Sequence, residues 1–261
     1  MRSVNEYLAS VERDRFMPGA EPFYHRAGEV GCLLLHGWAG SCHTMSYLGQ
    51  QLHAAGITAY CPSLPGHGTR FEDMAGTTAR DWVGAALTHL RLLNQECALT
   101  YVVGTSMGAN LTLYLAATEP ALMRGIVTIN GGIRTGRPEF VRLAFSEEES
   151  DTVPSFGPPA LKDPAAHEAV YDRRPRSSVA QLLALKKAVE EILFLVTTPI
   201  LILQSTGDSI TPPDNAETLY RMVGSSDKQI VWLHNSDHCA PLDYDKDIVA
   251  NAVARFIKER A

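Results

Sequence analysis

The sequence predicts an α/β fold: a mostly parallel central sheet with helices on both faces and one small insertion. Three observations carry that expectation. Short apolar runs recur along the 261 residues, separated by patterns of helical period, as repeated strand–helix units require. Several runs are apolar throughout rather than alternating, which suits strands covered on both faces. One run, Leu99 to Val103, passes through Gly104-Thr105-Ser106-Met107-Gly108 directly into a helical pattern (Leu111, Leu113, Tyr114, Leu115, Ala116, Ala117).

Taken in order, the chain begins with a polar helical arm to about Arg15. A Pro/Gly-bearing stretch, Met17 to Pro22, precedes a short strand at Phe23 to Arg26. Val30 to Leu35 is a strand ended by His36-Gly37. Met45, Leu48, Leu52 and Ala55 recur at helical spacing until Gly56. Ile57 to Cys61 is the next strand, followed by the loop Pro62-Ser63-Leu64-Pro65-Gly66-His67-Gly68. Thr78 to Leu93 reads as a helix. Gly125 to Ile129, Pro199 to Leu203 and Gln229 to Leu233 are further strands, and Asp214 to Val223 and Asp245 to Arg260 are helices. No internal repeat or low-complexity tract interrupts this alternation.

The segment 133–196 does interrupt it. It carries an acidic cluster (Glu147, Glu148, Glu149, Asp151) that reads as a solvated face. A Pro/Gly-rich stretch from Val153 to Pro164 and an amphipathic helix from Val179 to Leu195 follow. Connections this long inside a compact domain are usually functional. The expected organisation is therefore a core domain, 1–132 and 197–261, with 133–196 as an inserted cap over the C-terminal edge of the sheet.

Composition narrows the partners. Hydrophobic residues make up 45% and charged residues 20%, ordinary for a globular protein with a substantial core. A net charge of −6 argues against nucleic acid or an anionic membrane as the main partner. Met1 to Phe16 lacks the continuous apolar core of a signal peptide, and no run is long enough to span a bilayer. The five cysteines (Cys32, Cys42, Cys61, Cys97, Cys239) form no CxxC pair and read as free thiols of a reducing compartment, so a cytoplasmic location is expected. Oligomeric state is not legible.

Gly-x-Ser-x-Gly between a strand and a helix is the context of a nucleophile elbow, a turn so sharp that side-chain bulk is excluded on either side of the serine. A glycine-rich turn with an incidental serine is the plainer reading of the pentapeptide alone. Partners decide between them. In such an arrangement an acid and a histidine follow in that order, each after a strand. Asp208, in Gln204-Ser205-Thr206-Gly207-Asp208-Ser209, follows the strand at Pro199 to Leu203. His238, in His234-Asn235-Ser236-Asp237-His238, follows the strand at Gln229 to Leu233. Asp214 reads instead as a cap of the helix after Pro212-Pro213, and Asp243 or Asp245 as a cap of the last helix. Asp237 is too near His238 in the chain to orient its ring. His234 and His238 do not share a helix, and there is no Cys/His cluster, so neither metal nor cofactor is expected.

The chemistry follows from the groups. His238 would take the proton of Ser106 as it attacks an acyl carbon, and Asp208 would hold the imidazole. Two backbone N–H groups, of Met107 and of Trp38, would receive the oxyanion. Trp38 and Met107 would also border the substrate, with Leu182, Leu183 and Leu185 as further lining candidates. Arg70 and His67 lie on a loop that faces either the pocket or solvent, and His36 reads as a packed structural residue.

His36-Gly37-Trp38-Ala39-Gly40, Leu64-Pro65-Gly66-His67-Gly68, Gly104 to Gly108, Gly207-Asp208-Ser209-Ile210-Thr211-Pro212-Pro213 and Asn235 to His238 together resemble the α/β-hydrolase superfamily. Within it they are similar to the small bacterial carboxylesterases and monoacylglycerol lipases, from about residue 28 onward and only loosely in the insertion. The resemblance implies cofactor-free hydrolysis of carboxylic esters of short to medium acyl chains, monoacylglycerols included, with Ser106, Asp208 and His238 as the triad. One departure is Ala109, where many relatives carry a second glycine. The same triad also serves thioester, amide or carbon–carbon bond hydrolysis, and a ligand-binding protein can keep such a pocket without turnover.

Overall fold

The computed structural model describes residues 3–134, 138–145, 152–154 and 160–261. The acidic cluster at 147–151 lies outside the described residues. Nine strands are present among the described residues: β1 (Phe23–His25), β2 (Val30–Leu35), β3 (Thr58–Cys61), β4 (Leu99–Thr105), β5 (Gly125–Ile129), β6 (Thr152–Pro154), β7 (Arg173–Pro175), β8 (Ile200–Ser205) and β9 (Lys228–Leu233). The helices are α1 (Val4–Ala9), α2 (His43–Ala54), α3 (Phe71–Ala75), α4 (Ala79–Asn94), α5 (Met107–Thr118), α6 (Pro138–Ala144), α7 (Arg176–Ile192), α8 (Asp214–Met222) and α9 (Lys246–Lys258).

Seven strands form one sheet in the order β1-β3-β2-β4-β5-β8-β9. Every pairing is parallel except β1 with β3. The period of two within each strand divides its side chains between two layers. Leu33 and Leu35 of β2 face the layer that contains Leu90 of α4, Leu111 of α5 and Leu219 of α8. Cys32 and Leu34 face the layer of Met45 and Leu48 from α2 and Val253 and Phe256 from α9. Both faces are covered, which is why the strands read as unbroken apolar runs. All five cysteines are buried thiols. No helix among the described residues is long and apolar enough to cross a membrane.

Register aligns the C-terminal strand ends. Leu35 pairs with Gly104, Thr105 with Ile129, and Ser205 with Leu233, so the loops leaving β2, β4, β5, β8 and β9 open on one edge. At that edge β4 runs two residues past the predicted Val103, and α5 starts at Met107, immediately after Ser106. Thr78 caps α4 through a reciprocal capping box with Asp81. Two helices too short to carry a periodic signal, α3 and α6, and the β6–β7 pair are visible only in the fold. The helix expected at Val179 to Leu195 is α7 followed by a 3-10 turn at Leu193–Leu195.

Candidate active site

Ser106 occupies the turn between β4 and α5 with φ 54° and ψ −117°. A non-glycine residue pays for such a backbone with strain of order 1–3 kcal/mol, and the surroundings must enforce it. They do so by close approach. A Cβ on Gly104 would stand 2.1 Å from the Gly108 carbonyl oxygen, and one on Gly108 would stand 2.0 Å from that of Leu35. Only glycine lets α5 begin this close to β2 and β4. The Ser106 N–H is meanwhile tied to the Ile129 carbonyl at 3.0 Å.

The structure brings the three predicted groups together. His238 Nε2 lies 2.9 Å from Ser106 Oγ, and its Nδ1 lies 2.9 and 3.0 Å from the two carboxylate oxygens of Asp208. Asp208 is held from behind: its Oδ1 accepts from the Ile210 and Thr211 N–H groups at 2.9 and 2.8 Å, and its Oδ2 from Gln204 Nε2 at 3.2 Å. Burial works against a charged His238, but the adjacent Asp208 carboxylate overrides it and raises the imidazole pKa above its ordinary value.

The loop leaving β2 lies against the serine. A Cβ on Gly37, the residue before Trp38, would come within 3.3 Å of Ser106 Cβ. Met107 opens α5, so its N–H belongs to the first turn, which has no acceptor within the helix. His36 is fully buried, donates from Nδ1 to the Gly37 carbonyl and accepts the Leu64 N–H at Nε2, and burial lowers its pKa to about 4. It is the packed residue expected. His67 is not a surface group: it is buried beside His36 and Trp82, and burial and His36 drive its pKa down to about 3. Arg70 stays exposed.

The candidate caps behave differently from expectation. Asp214 is the first residue of α8, and the preceding Pro213 makes no side-chain cap. Asp245 stands at the start of α9, but its carboxylate turns back to the N–H groups of Asn235 and Ser236. Asp243 accepts four backbone N–H groups, of Lys162, Asp163, Asp237 and Tyr244, at 2.8 to 2.9 Å. Both carboxylates shape the His238 loop. Asp237 likewise accepts the N–H groups of Ser209 and His238, joining the acid and histidine loops without touching the ring.

Residues 160–171 strap across the same edge. Glu168 accepts from Thr44 Oγ1 at 2.6 Å and from Cys239 Sγ at 3.1 Å, which brings a carboxylate beside His238. Ser41 donates to the Ala169 carbonyl, and the Tyr171 N–H donates to that of Ala39. Leu182 and Leu185 are buried in one cluster with Met107 and Ile133. Glu168 carried no motif; its position on the insertion was the sole signal.

Known proteins resemble this chain over most of its length. The alpha/beta hydrolase family profile matches residues 32–252. The chain is 38% identical over 253 residues to the thermostable monoacylglycerol lipase of Bacillus sp. (strain H-257), covering 94% of this chain and 97% of that protein. It is 25% identical over 240 residues to a carboxylesterase of Bacillus subtilis (strain 168), covering 92% and 96%. A solved structure reported for the metagenome-derived lipolytic enzymes LipS and LipT superposes with a TM-score of 0.90 at 35% identity, covering 94% of this chain and 99% of its own. The chain belongs to the alpha/beta hydrolase family.

Proposed function

We propose that the protein hydrolyses carboxylic esters of short to medium acyl chains, monoacylglycerols among them, through an acyl-enzyme on Ser106. The observation that carries this reading is the imidazole of His238, 2.9 Å from both the Ser106 hydroxyl and the Asp208 carboxylate. In this reading His238 Nε2 takes the serine proton as Oγ attacks the ester carbonyl, and Asp208 stabilises the imidazolium. The N–H groups of Met107 and Trp38 receive the oxyanion, each worth about 3 kcal/mol in the transition state. The imidazolium then protonates the departing alcohol, and water repeats the sequence to release the acid.

Related proteins named monoacylglycerol lipase and carboxylesterase support the substrate class. Glu168 supports an alcohol portion with free hydroxyl groups, since a carboxylate only accepts hydrogen bonds and hydroxyls can donate them. In the same reading 133–196 is a cap over the core of 1–132 and 197–261, and it sets the acyl length. The buried thiols fit the reducing cytoplasm. A chain-length series of p-nitrophenyl esters and monoacylglycerols tests the proposal. Turnover should peak at short to medium chains and fall roughly a thousandfold or more in Ser106→Ala, with the melting temperature nearly unchanged. Activity surviving in Ser106→Ala would overturn it.

A further inference from the structure

The turn that carries Trp38 is strained and is held from outside itself. Gly37 to Gly40 form a tight turn, closed by the Gly40 N–H on the Gly37 carbonyl at 3.2 Å. Its third residue, Ala39, is buried with φ 61°, a left-handed backbone that alanine keeps only where its surroundings enforce it. The turn starts against the nucleophile: a Cβ on Gly37 would also stand 3.8 Å from Ser106 Oγ.

The contacts that hold this turn come from the insertion. The Tyr171 N–H donates to the Ala39 carbonyl at 3.3 Å, and Ser41 Oγ donates to the Ala169 carbonyl at 2.8 Å. Tyr171 is itself fixed, since its hydroxyl accepts the Thr69 N–H and donates to the Gly66 carbonyl, both at 3.0 Å. The Arg174 guanidinium lies over the Trp38 ring, 5.1 Å from the centroid. Strand β7 sets that placement from two sides. Its backbone pairs Arg174 with Val153 of β6, and the adjacent Arg173 lies over the Phe71 ring of α3 at 4.7 Å. Trp38 and Phe71 both pack against one small buried cluster, Ala39, Met74 and Tyr171.

The hydrogen bonds of the strap grip Ala39, Ser41 and Thr44, whereas Arg174 grips Trp38 itself. A planar guanidinium on an indole face is a directional contact, and indole is the best of the aromatic partners. We infer that Arg174 is a positioning residue for the hydrolysis: stacked on Trp38, it fixes the orientation in which the Trp38 N–H meets the oxyanion formed at Ser106. The inference rests on the reading of that N–H as an oxyanion donor. Arg174 acts through the ring, so the insertion shapes the chemical step as well as the acyl pocket.

A double-mutant cycle on the full chain tests it, with p-nitrophenyl butyrate as substrate. Trp38→Leu keeps the main-chain N–H and removes the ring that Arg174 covers. Arg174→Met should lower kcat about tenfold with KM within about threefold, because acylation and deacylation both pass through an oxyanion. In the Trp38→Leu background the same substitution should change kcat by less than about twofold. Binding of butylboronic acid, whose serine adduct is tetrahedral, should weaken in step with kcat. The acid limb of kcat/KM, set by His238, should keep its wild-type midpoint. Arg174→Lys, which retains a cation, should recover part of the loss, and Arg174→Gln completes the cycle should Arg174→Met fail to fold. Equal losses in the two backgrounds, a loss confined to KM, or wild-type kcat in both Arg174→Met and Arg174→Gln overturns the inference and leaves the ester reading standing. A wild type that turns over no ester overturns the ester reading and the inference with it.

Discussion

The side-chain amide of Asn130 donates to the main-chain oxygen of His238 at 2.8 Å. The same side chain donates to Ser205 Oγ and to the Asp237 carbonyl, and it accepts the Ser205 N–H at 2.7 Å. Asn130 thereby ties the end of β5 to both β8 and the histidine loop, from a left-handed backbone (φ 48°) that asparagine tolerates better than most residues. Asn130→Ala should strand several buried polar groups at once. A stability loss of about 3 kcal/mol is expected, seen as a fall in Tm of roughly 6–10 °C, with a drop in kcat larger than the change in KM. A Tm within about 2 °C of wild type would show that the loop is held by other contacts.

The methyl group of Ala109 is accommodated by a glycine across from it. A Cβ on Gly131 would come within 2.5 Å of Ala109 Cβ, so the alanine near the start of α5 and the glycine after β5 share one volume. Gly131→Ala should cost about 1–3 kcal/mol by overpacking, and Ala109→Gly in that background should restore most of it. Denaturation of the four members of the cycle checks this. Additive effects would contradict the pairing.

His238 has to be neutral to accept the serine proton. Since its pKa stands above the ordinary imidazole value of about 6.5, kcat/KM should fall on the acid side with a midpoint above that value. Asp208→Asn leaves burial, the largest influence, which lowers it, and removes the main charge that raises it, with Glu168 a smaller one remaining. The limb should move below about 6.5, with a large loss in kcat. The stability contribution has the matching sign: it is fully present below the unfolded-state value and is lost as pH rises through the raised folded value. A wild-type limb well below pH 6 would contradict the assignment.

Asp243 and Asp214 should separate sharply. Both oxygens of Asp243 accept backbone N–H groups, so an amide in Asp243→Asn turns a donor toward donors. Lower Tm and lower kcat are expected there, since the His238 loop and residues 162–163 lose a common anchor. Asp214→Asn should leave both within about 0.5 kcal/mol of wild type. Equal effects would remove Asp243 from its place beneath the histidine loop.

Legibility followed locality. Ser106 could be read because glycines two residues to either side announce the close approach, and Asp208 and His238 because each follows an apolar run. Glu168, Asn130 and Asp243 could not, since their partners are brought by other loops: Glu168 meets Thr44 and Cys239 only after the strap crosses the edge. Asp243 and Asp245 show the limit of local rules. An aspartate before a helix reads as its cap, yet both carboxylates turn to backbone N–H groups of the histidine loop. The environment of His67 was illegible for the same reason: its burial depends on Trp82 and His36, remote in the chain.

During turnover Ser106 is expected to carry the acyl group. Acid-quenching the enzyme during hydrolysis of p-nitrophenyl butyrate, followed by peptide mass mapping, measures this directly. A butyryl adduct is expected on the peptide that contains Ser106 and is expected to be absent in Ser106→Ala. An adduct on another side chain, or wild-type turnover with Ser106 never acylated, would contradict it.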